Sequence, residues 1–410
     1  MKTQQRALRI IMVVENNAYP DDVRVRSEAE TLAQAGHSVT VISPRDPGQP
    51  WRAAINGVRV VRFPHPPSGR GVLGYASEFG YATLAAACLV LWCWLRDGLD
   101  AVHIHNPPDT LFLAGLLPKL AGKPLIYDHH DLSPELYLAK YPAPSRRIHK
   151  ALLGLERWSC RCASWVITVN GSYRQNDIQR NHVAPERVEI IRNGPDLRHI
   201  QPQAPTAELR ARDGAVIGYV GKMARQDGAE HLLRALHELD QLGIEGWFCV
   251  VVGPADDAAG LRALSDRLGL SERVRFTGYL PPERWLPLLS AADICAAPEP
   301  SNPLNDKSTS IKIMEYMALG KPLVAYDLAE HRVSAGEAAL YARRNDPQDF
   351  ARQLARLIET PELRATLGAV GRRRVQDMLA WEYSAERLVK LYERVGRGAV
   401  RGAEAARSRP

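Results

Sequence analysis

Cysteine is scarce in this 410-residue chain, which holds six. Cys88, Cys93, Cys160, Cys162, Cys249 and Cys295 fall in apolar stretches without metal-ligand spacing. A disulfide scaffold and a zinc module are therefore excluded, and core thiols in a reducing cytosol are expected. Long apolar runs are also missing. The longest, Leu84–Leu95, is well short of the roughly 20 residues a spanning helix needs, so it reads as a buried helix or one lying at a membrane interface. At the N-terminus the apolar run Leu8–Val14 is too short for a signal peptide and reads as a strand. No stripe of aromatic residues interleaves with Lys and Arg, which removes the usual mark of a nucleic-acid surface. Nor is there a large excess of one charge: Lys and Arg total 53 against 46 Asp and Glu, a net +7. The excess is uneven. Residues 1–200 hold 24 basic and 18 acidic side chains (+6), and residues 201–410 hold 29 and 28 (+1). A basic first half suits an anionic membrane surface or a phosphate-bearing acceptor.

What is present is the composition of a globular protein, 45% hydrophobic and 24% charged, at a length that suits two domains. Apolar runs alternate with helical patterns. Leu8–Val14, Ser38–Ser43, Val58–Phe63, Ala101–His105, Leu125–Tyr127, Val166–Val169 and Val188–Ile191 read as strands, with helices at Ser27–Gln34 and Ser145–Arg161. The second half repeats the theme. Its strands are Ala215–Val220, Trp247–Val252, Val274–Thr277, Asp293–Ala297 and Leu323–Tyr326; its helices are Glu230–Leu242, Ala258–Leu268 and Pro282–Ala291. Repeated β-then-α order predicts parallel sheets covered on both faces. The Pro-rich polar stretch His199–Gly214 is the expected boundary. This gives two Rossmann-like domains, 1–200 and 212–380, facing across a cleft. Helical patterns at Asp349–Ile358, Pro361–Thr366 and Val375–Val395 close the chain, and the Gly/Ala/Arg tail 396–410 is expected to be disordered.

The most informative stretch is Pro298–Tyr326. Ser308, Thr309 and Ser310 are capping residues; Ile311, Met314 and Ala318 follow at helical spacing, and Gly320 and Pro322 are stop signals. A polar loop that delivers helix-start N–H groups is how proteins hold phosphate. Glu315, about a turn and a half along, is placed either to accept two vicinal sugar hydroxyls or to be a solvated helix glutamate. In the first βα loop, Asp22-Val23-Arg24-Val25-Arg26 sets two arginines on one side of a short extended piece. Arginine forks bind phosphate or carboxylate, so Asp22, Arg24 and Arg26 are candidates for holding an anionic acceptor; the alternative is a solvated cluster capping the helix. Histidines gather at two strand ends, His103-Ile104-His105-Asn106 and Tyr127-Asp128-His129-His130-Asp131.

The run Glu315-Tyr316-Met317-Ala318-Leu319-Gly320-Lys321-Pro322 resembles the second half of the donor-binding signature of retaining glycosyltransferases of family 4, which have the GT-B fold. The family's first Glu, eight positions earlier, is Lys307 here, and the preceding loop is a few residues longer than usual. Gly221-Lys222…Asp227-Gly228 resembles the pyrophosphate loop, with Lys222 for the usual Arg and Asp227 for the usual Lys. The resemblance implies that His130-Asp131 lies by the sugar, with His105 as its partner and acceptor-side neighbour. Tyr279 and Leu280 would border the nucleobase through main-chain contacts, and Asn193-Gly194 would lead into the linker. It implies the α/β GT-B fold with the last helix, about 381–395, crossing back to the first domain, and an enzyme without a metal or cofactor.

The activity so implied is transfer of a sugar, with retention, from a nucleoside diphosphate sugar (UDP-linked) to an acceptor hydroxyl on a saccharide or lipid. The setting would be bacterial surface-polysaccharide or glycolipid assembly, in the cytoplasm or at the inner face of the membrane. Lys222 and the N–H groups of Ser308, Thr309, Ser310 and Ile311 would hold the diphosphate, Glu315 the ribose. Lys307 and Lys312 flank the helix start. Lys307 and Asp227 together read as a charge exchange, with Lys307 approaching the phosphates as part of the catalytic set and Asp227 approaching the sugar or Lys307 itself. A non-catalytic GT-B subunit, or an epimerase or hydrolase of the nucleotide sugar, are the alternatives these two residues leave open.

Overall fold

The computed structural model describes residues 7–65 and 71–407. The chain divides into two compact units, one of Met1–Tyr137, Ala143–Arg192 and Ser384–Pro410, the other of Leu138–Pro142 and Asn193–Tyr383.

The first unit is built on β1 (Arg9–Val13), β2 (Ser38–Arg45), β3 (Arg52–Ile55), β4 (Val58–Pro64), β5 (Ala101–His105), β6 (Leu125–His129), β7 (Trp165–Thr168) and β8 (Val188–Ile190). They form one sheet in the order β3-β4-β2-β1-β5-β6-β7-β8. Every pairing is parallel except that of β3 with β4. All five residues of β5 and of β6 are buried, as expected of strands covered on both faces. The hairpin was not expected. Its Ile55↔Val58 register leaves a two-residue turn, Asn56-Gly57, both at positive φ (48° and 82°), the turn that Asn-Gly favours. On one face lies a 27-residue helix, Gly71–Asp97, whose Ala82, Ala86, Val90 and Cys93 enter the core. The helix Arg146–Cys162 packs in the same layer.

The second unit holds β9 (Ala215–Val220), β10 (Trp247–Val252), β11 (Val274–Gly278), β12 (Ile294–Ala297), β13 (Leu323–Tyr326) and β14 (Ala339–Ala342). The all-parallel sheet has the order β11-β10-β9-β12-β13-β14. The edge strand β14 was not expected; its two central residues, Leu340 and Tyr341, are only half-buried.

Three expectations about boundaries are corrected. The division comes at Arg192–Asn193, ahead of 199–214, because Leu197 and Ile200 pack on the second unit's core and Leu209 is buried there. Gly194 allows the close approach: a Cβ on it would lie 2.2 Å from the Leu379 carbonyl oxygen. The pattern Val375–Val395 is not one helix; Ala380 is extended, and a new helix runs Trp381–Arg407. That helix, which joins the first unit from Ser384, continues past Gly396 where disorder was expected, since Ala, Arg and Glu are strong helix formers. Residues 408–410 of the tail lie outside the described residues. Tyr392 fixes the helix to its unit through a 3.0 Å hydrogen bond with His103 Nδ1.

Candidate functional site

In the second unit the helix Ile311–Ala318 follows Ser310 as its N-cap, with Gly320 at φ 68° after its end and β13 following. The hydroxyl of Ser310 does not cap. It donates to Glu299 Oε1 at 2.6 Å, and that of Ser308 to the Leu304 carbonyl at 2.9 Å. The first turn of this helix carries N–H groups that have no intrahelical partner, and its dipole favours an anion there.

One ion pair sits at that turn. Lys312 Nζ lies 3.0 Å from Glu299 Oε1 and 3.3 Å from the Tyr219 hydroxyl, over whose ring it is stacked at 4.7 Å. Burial opposes the charge of Lys312, but Glu299 outweighs it and raises the ammonium above its ordinary range. Glu299 is pushed up by burial and pulled down further by Lys312, so it is ionised. Asp227 is raised by burial, with Lys312 the first charge to oppose it. Its Oδ2 accepts from the Ala224 N–H at 3.0 Å. The cation that most strongly opposes burial at Asp227 is therefore Lys312. Lys307 closes a turn by donating its N–H to the Leu304 carbonyl at 3.1 Å. Glu299 escaped notice in the sequence because it precedes Glu315 by more than the family spacing; the longer loop was the signal that could have found it.

Two glycines bring this loop against the one that follows β9. Gly228, at φ 77°, would place a Cβ 2.1 Å from the Pro298 carbonyl oxygen. Gly221, at φ 143°, faces Lys312, whose Cε would be 3.1 Å from an added Cβ. Asn305 Nδ2 ties the two loops by donating to the Gln226 carbonyl at 2.7 Å. Lys222 is exposed and pairs with Asp256 at 3.1 Å. Glu315 is half-buried, and burial pushes its carboxyl up to about 7, with Lys312 pulling it down. Ile311 is exposed, Thr309 half-buried, Tyr279 exposed and Leu280 half-buried against the core.

In the first unit the arginine reading is overturned. Arg24 and Arg26 stand on the helix Val23–Gln34, not on an extended piece. Asp22 is its N-cap, accepting from the Val25 N–H at 3.0 Å. Arg24 is buried and turned inward: its Nε and Nη2 donate to both oxygens of Asp128, at 2.7 and 2.9 Å, and Nη2 lies 3.1 Å from Glu28. Its Nη1 donates to the Ile191 carbonyl at 3.0 Å. Burial opposes its charge, but Asp128 and then Glu28 hold it charged. Arg26 is half-buried, with a 3.5 Å hydrogen bond to the Pro20 carbonyl.

His105 is likewise buried, Nδ1 at 3.1 Å from the Val13 carbonyl and Nε2 at 3.1 Å from Glu28 Oε2. His103 stacks on it, and burial lowers its pKa well below the ordinary value. Glu28, His103, His105 and Asp128 bring four potential ligand atoms within 4.8 Å of one another, and His129, Cys160 and Asp177 bring three. The first set could by spacing hold a metal, but the Arg24 guanidinium already contacts both its carboxylates, as in a buried charge network. Neither Glu28 nor Asp128 was singled out in the sequence. His130 keeps slight exposure beside this network. Its ring lies 3.5 Å from Asp128, which outweighs burial and raises its pKa. The N–H groups of His130 and Asp131 both donate to Asn106 Oδ1, at 2.9 and 3.1 Å, so this strand end is rigidly set.

The two halves match separate domain models: residues 22–194 a glycosyl transferase 4-like domain, and residues 214–360 glycosyl transferases group 1. Among similar proteins is 2-deoxystreptamine glucosyltransferase of Streptomyces kanamyceticus, 25% identical over 91% of this chain and 98% of the relative. Sucrose-phosphate synthase from Thermosynechococcus elongatus shares the fold with a TM-score of 0.75 at 22% identity, over 95% of this chain and 99% of that one. Anabaena Alr3699/HepE in complex with UDP-glucose superposes with a TM-score of 0.69 at 18% identity, over 94% and 99%.

Proposed function

Since the chain belongs to the GT-B glycosyltransferases, we propose that it moves a sugar from a UDP-linked donor to an acceptor hydroxyl with retention, and that the turn Ser310–Glu315 holds the donor. The observation that carries this reading is the buried Glu299–Lys312 pair set at a helix start, with the Glu315 carboxyl one turn on. Helix-start N–H groups and the Lys312 ammonium attract the diphosphate. Glu315 accepts two ribose hydroxyls. As the bond from the anomeric carbon to the phosphate oxygen breaks, negative charge grows on the leaving diphosphate. The same donors meet it there, an electrostatic effect worth roughly 10²–10³ in rate for one such donor. The acceptor oxygen bonds to the anomeric carbon, and its proton goes to the departing phosphate oxygen. Every step is served by these side chains and N–H groups, without a metal.

We place the acceptor among the saccharides or lipids of polysaccharide and glycolipid assembly, in line with the +6 first half. The non-catalytic alternative loses one of its two supports: Glu299 supplies next to the helix start the carboxylate that position 307 lacks, while Asp227 remains. The test is a panel of nucleotide sugars scored by thermal shift and then by transfer to added acceptors. A bound donor raises the melting temperature by mass action. A panel in which no nucleoside diphosphate sugar shifts the melt would overturn the reading. Release of free sugar at the same rate with and without acceptor would move it to a hydrolase.

A further inference from the structure

One layer of the first unit carries apolar surface that a folded monomer has no use for. In the helix Gly71–Asp97 the inward positions Ala82, Ala86, Val90 and Cys93 are spent on the core. The outward stripe is also apolar: Leu73 is 86% exposed, Leu84 67%, Leu91 38% and Leu95 78%. By length and composition the stretch Leu73–Asp97 could cross a membrane, yet its inner face is committed to the sheet, so in the folded protein it can only lie along one. The neighbouring segment, Asp109–Leu120, packs on this helix and exposes Leu113, Leu117 and Leu120.

The third element of the layer supplies the charge. The helix Arg146–Cys162 packs on Asp109–Gly115 and buries Ser159 and Cys160. Its exposed positions include Arg147, Lys150, Arg157 and Arg161, spaced three, seven and four residues apart and so on one helical face, with Trp158 67% exposed among them. Trp92 lies under two guanidinium groups, Arg52 at 4.6 Å and Arg96 at 4.4 Å. In a parallel α/β layer, helices run opposite to the strands, so the three segments end together where β5, β6 and β7 begin. Leu95, Leu120 and Arg161 share that end.

We propose that this layer is a monotopic seat on an anionic lipid bilayer. The leucines enter the interface, while the Arg147–Arg161 stripe and Arg96 meet lipid phosphates. An apolar patch alone would suit a second copy of the chain equally. A cationic stripe beside it favours an anionic partner, and two copies would set basic stripes against each other. The seat belongs to the first unit and the donor site to the second, and the proposal does not depend on that site.

The test uses the full chain with vesicles of phosphatidylcholine alone or mixed with phosphatidylglycerol, scored by co-sedimentation at low and high salt. Wild type is expected to bind the mixed vesicles and to lose part of that binding in high salt. Leu84→Gln/Leu95→Gln/Leu120→Gln, all at exposed positions, should lower the bound fraction at least tenfold at both salts, since each leucine loses its apolar burial. Arg147→Glu/Lys150→Glu/Arg157→Glu should abolish the preference for phosphatidylglycerol and the salt effect. Donor binding by calorimetry should be unchanged in both variants, which also shows that they fold. Wild type that ignores mixed vesicles, or a leucine variant that binds like wild type, overturns the proposal. A leucine-dependent dimer without vesicle binding assigns the patch to a second copy and overturns it too.

Discussion

Replacing Glu315 by Gln removes a charge and little else, so it separates what that carboxyl does for the fold from what it does for a ligand. Its folded value is raised from 4.5 to about 7 by burial. A carboxyl whose folded value is raised stabilises the fold below its unfolded value and loses that contribution as pH climbs to about 7. The ionised form therefore costs the fold at most about 3.5 kcal/mol above pH 7, because each unit between the two values is worth about 1.4 kcal/mol. The amide bears no such cost. Wild type and Glu315→Gln should melt together near pH 4.5 and diverge upward, with the variant the more stable at pH 8. Donor binding should move the other way. The carboxylate accepts two hydroxyls where the amide oxygen accepts less well, and the loss of a charge-assisted bond in a dry site costs roughly 1–3 kcal/mol. Titration calorimetry with a UDP-sugar at pH 6 and pH 8 adds a sign. Wild type should bind more weakly at pH 6 and release a proton on binding, whereas the variant should be indifferent. A stability difference that stays constant with pH would refute the burial reasoning. An unchanged donor affinity in the folded variant would refute the ribose assignment.

Arg24→Met leaves Asp128 and Glu28 buried without their cation, which should cost about 3–5 kcal/mol in urea unfolding, as broken buried pairs do. Lys312→Met alone should lose donor affinity and destabilise by a similar amount. Lys312→Met/Glu299→Gln should recover stability but not affinity, so a double-mutant cycle on both readouts shows coupling in one and not the other. Gly228→Ala forces apart the Pro298 carbonyl and adds strain at φ 77°. The variant should melt several degrees lower and bind the donor less tightly, and a melt unchanged from wild type would show that the loops yield freely.

How much of this was legible depends on whether a signal is local. The strands β9 and β10 announce themselves because burial on both faces demands a continuous apolar run. Strands β5 and β6 are as fully buried but carry His and Asp residues, and only their apolar starts, Ala101-Val102 and Leu125–Tyr127, gave the signal. The helix after Ser310 was likewise readable, from spacing, Gly320 and Pro322. Val23-Arg24-Val25-Arg26 misled because its alternation has the period of a strand, although it opens a helix. Asp22 was the better sign, and its cap was within reach of the sequence.

The partners of buried charges were not within reach. Arg24 finds Asp128 from 104 positions away, and Lys312 finds Glu299 across a loop whose length breaks the expected spacing. A charged residue in a sequence reads as solvated until its partner is known, because desolvation is tolerable only when another charge repays it. The residues most decisive for this site are therefore those whose meaning comes from a second residue elsewhere in the chain. The same dependence hides Glu299 behind Lys307. Lys307 occupies the signature's spacing, while the longer loop moves the carboxylate back to Glu299 and leaves Lys312, one helical position inside the turn, as the cation that a phosphate would meet.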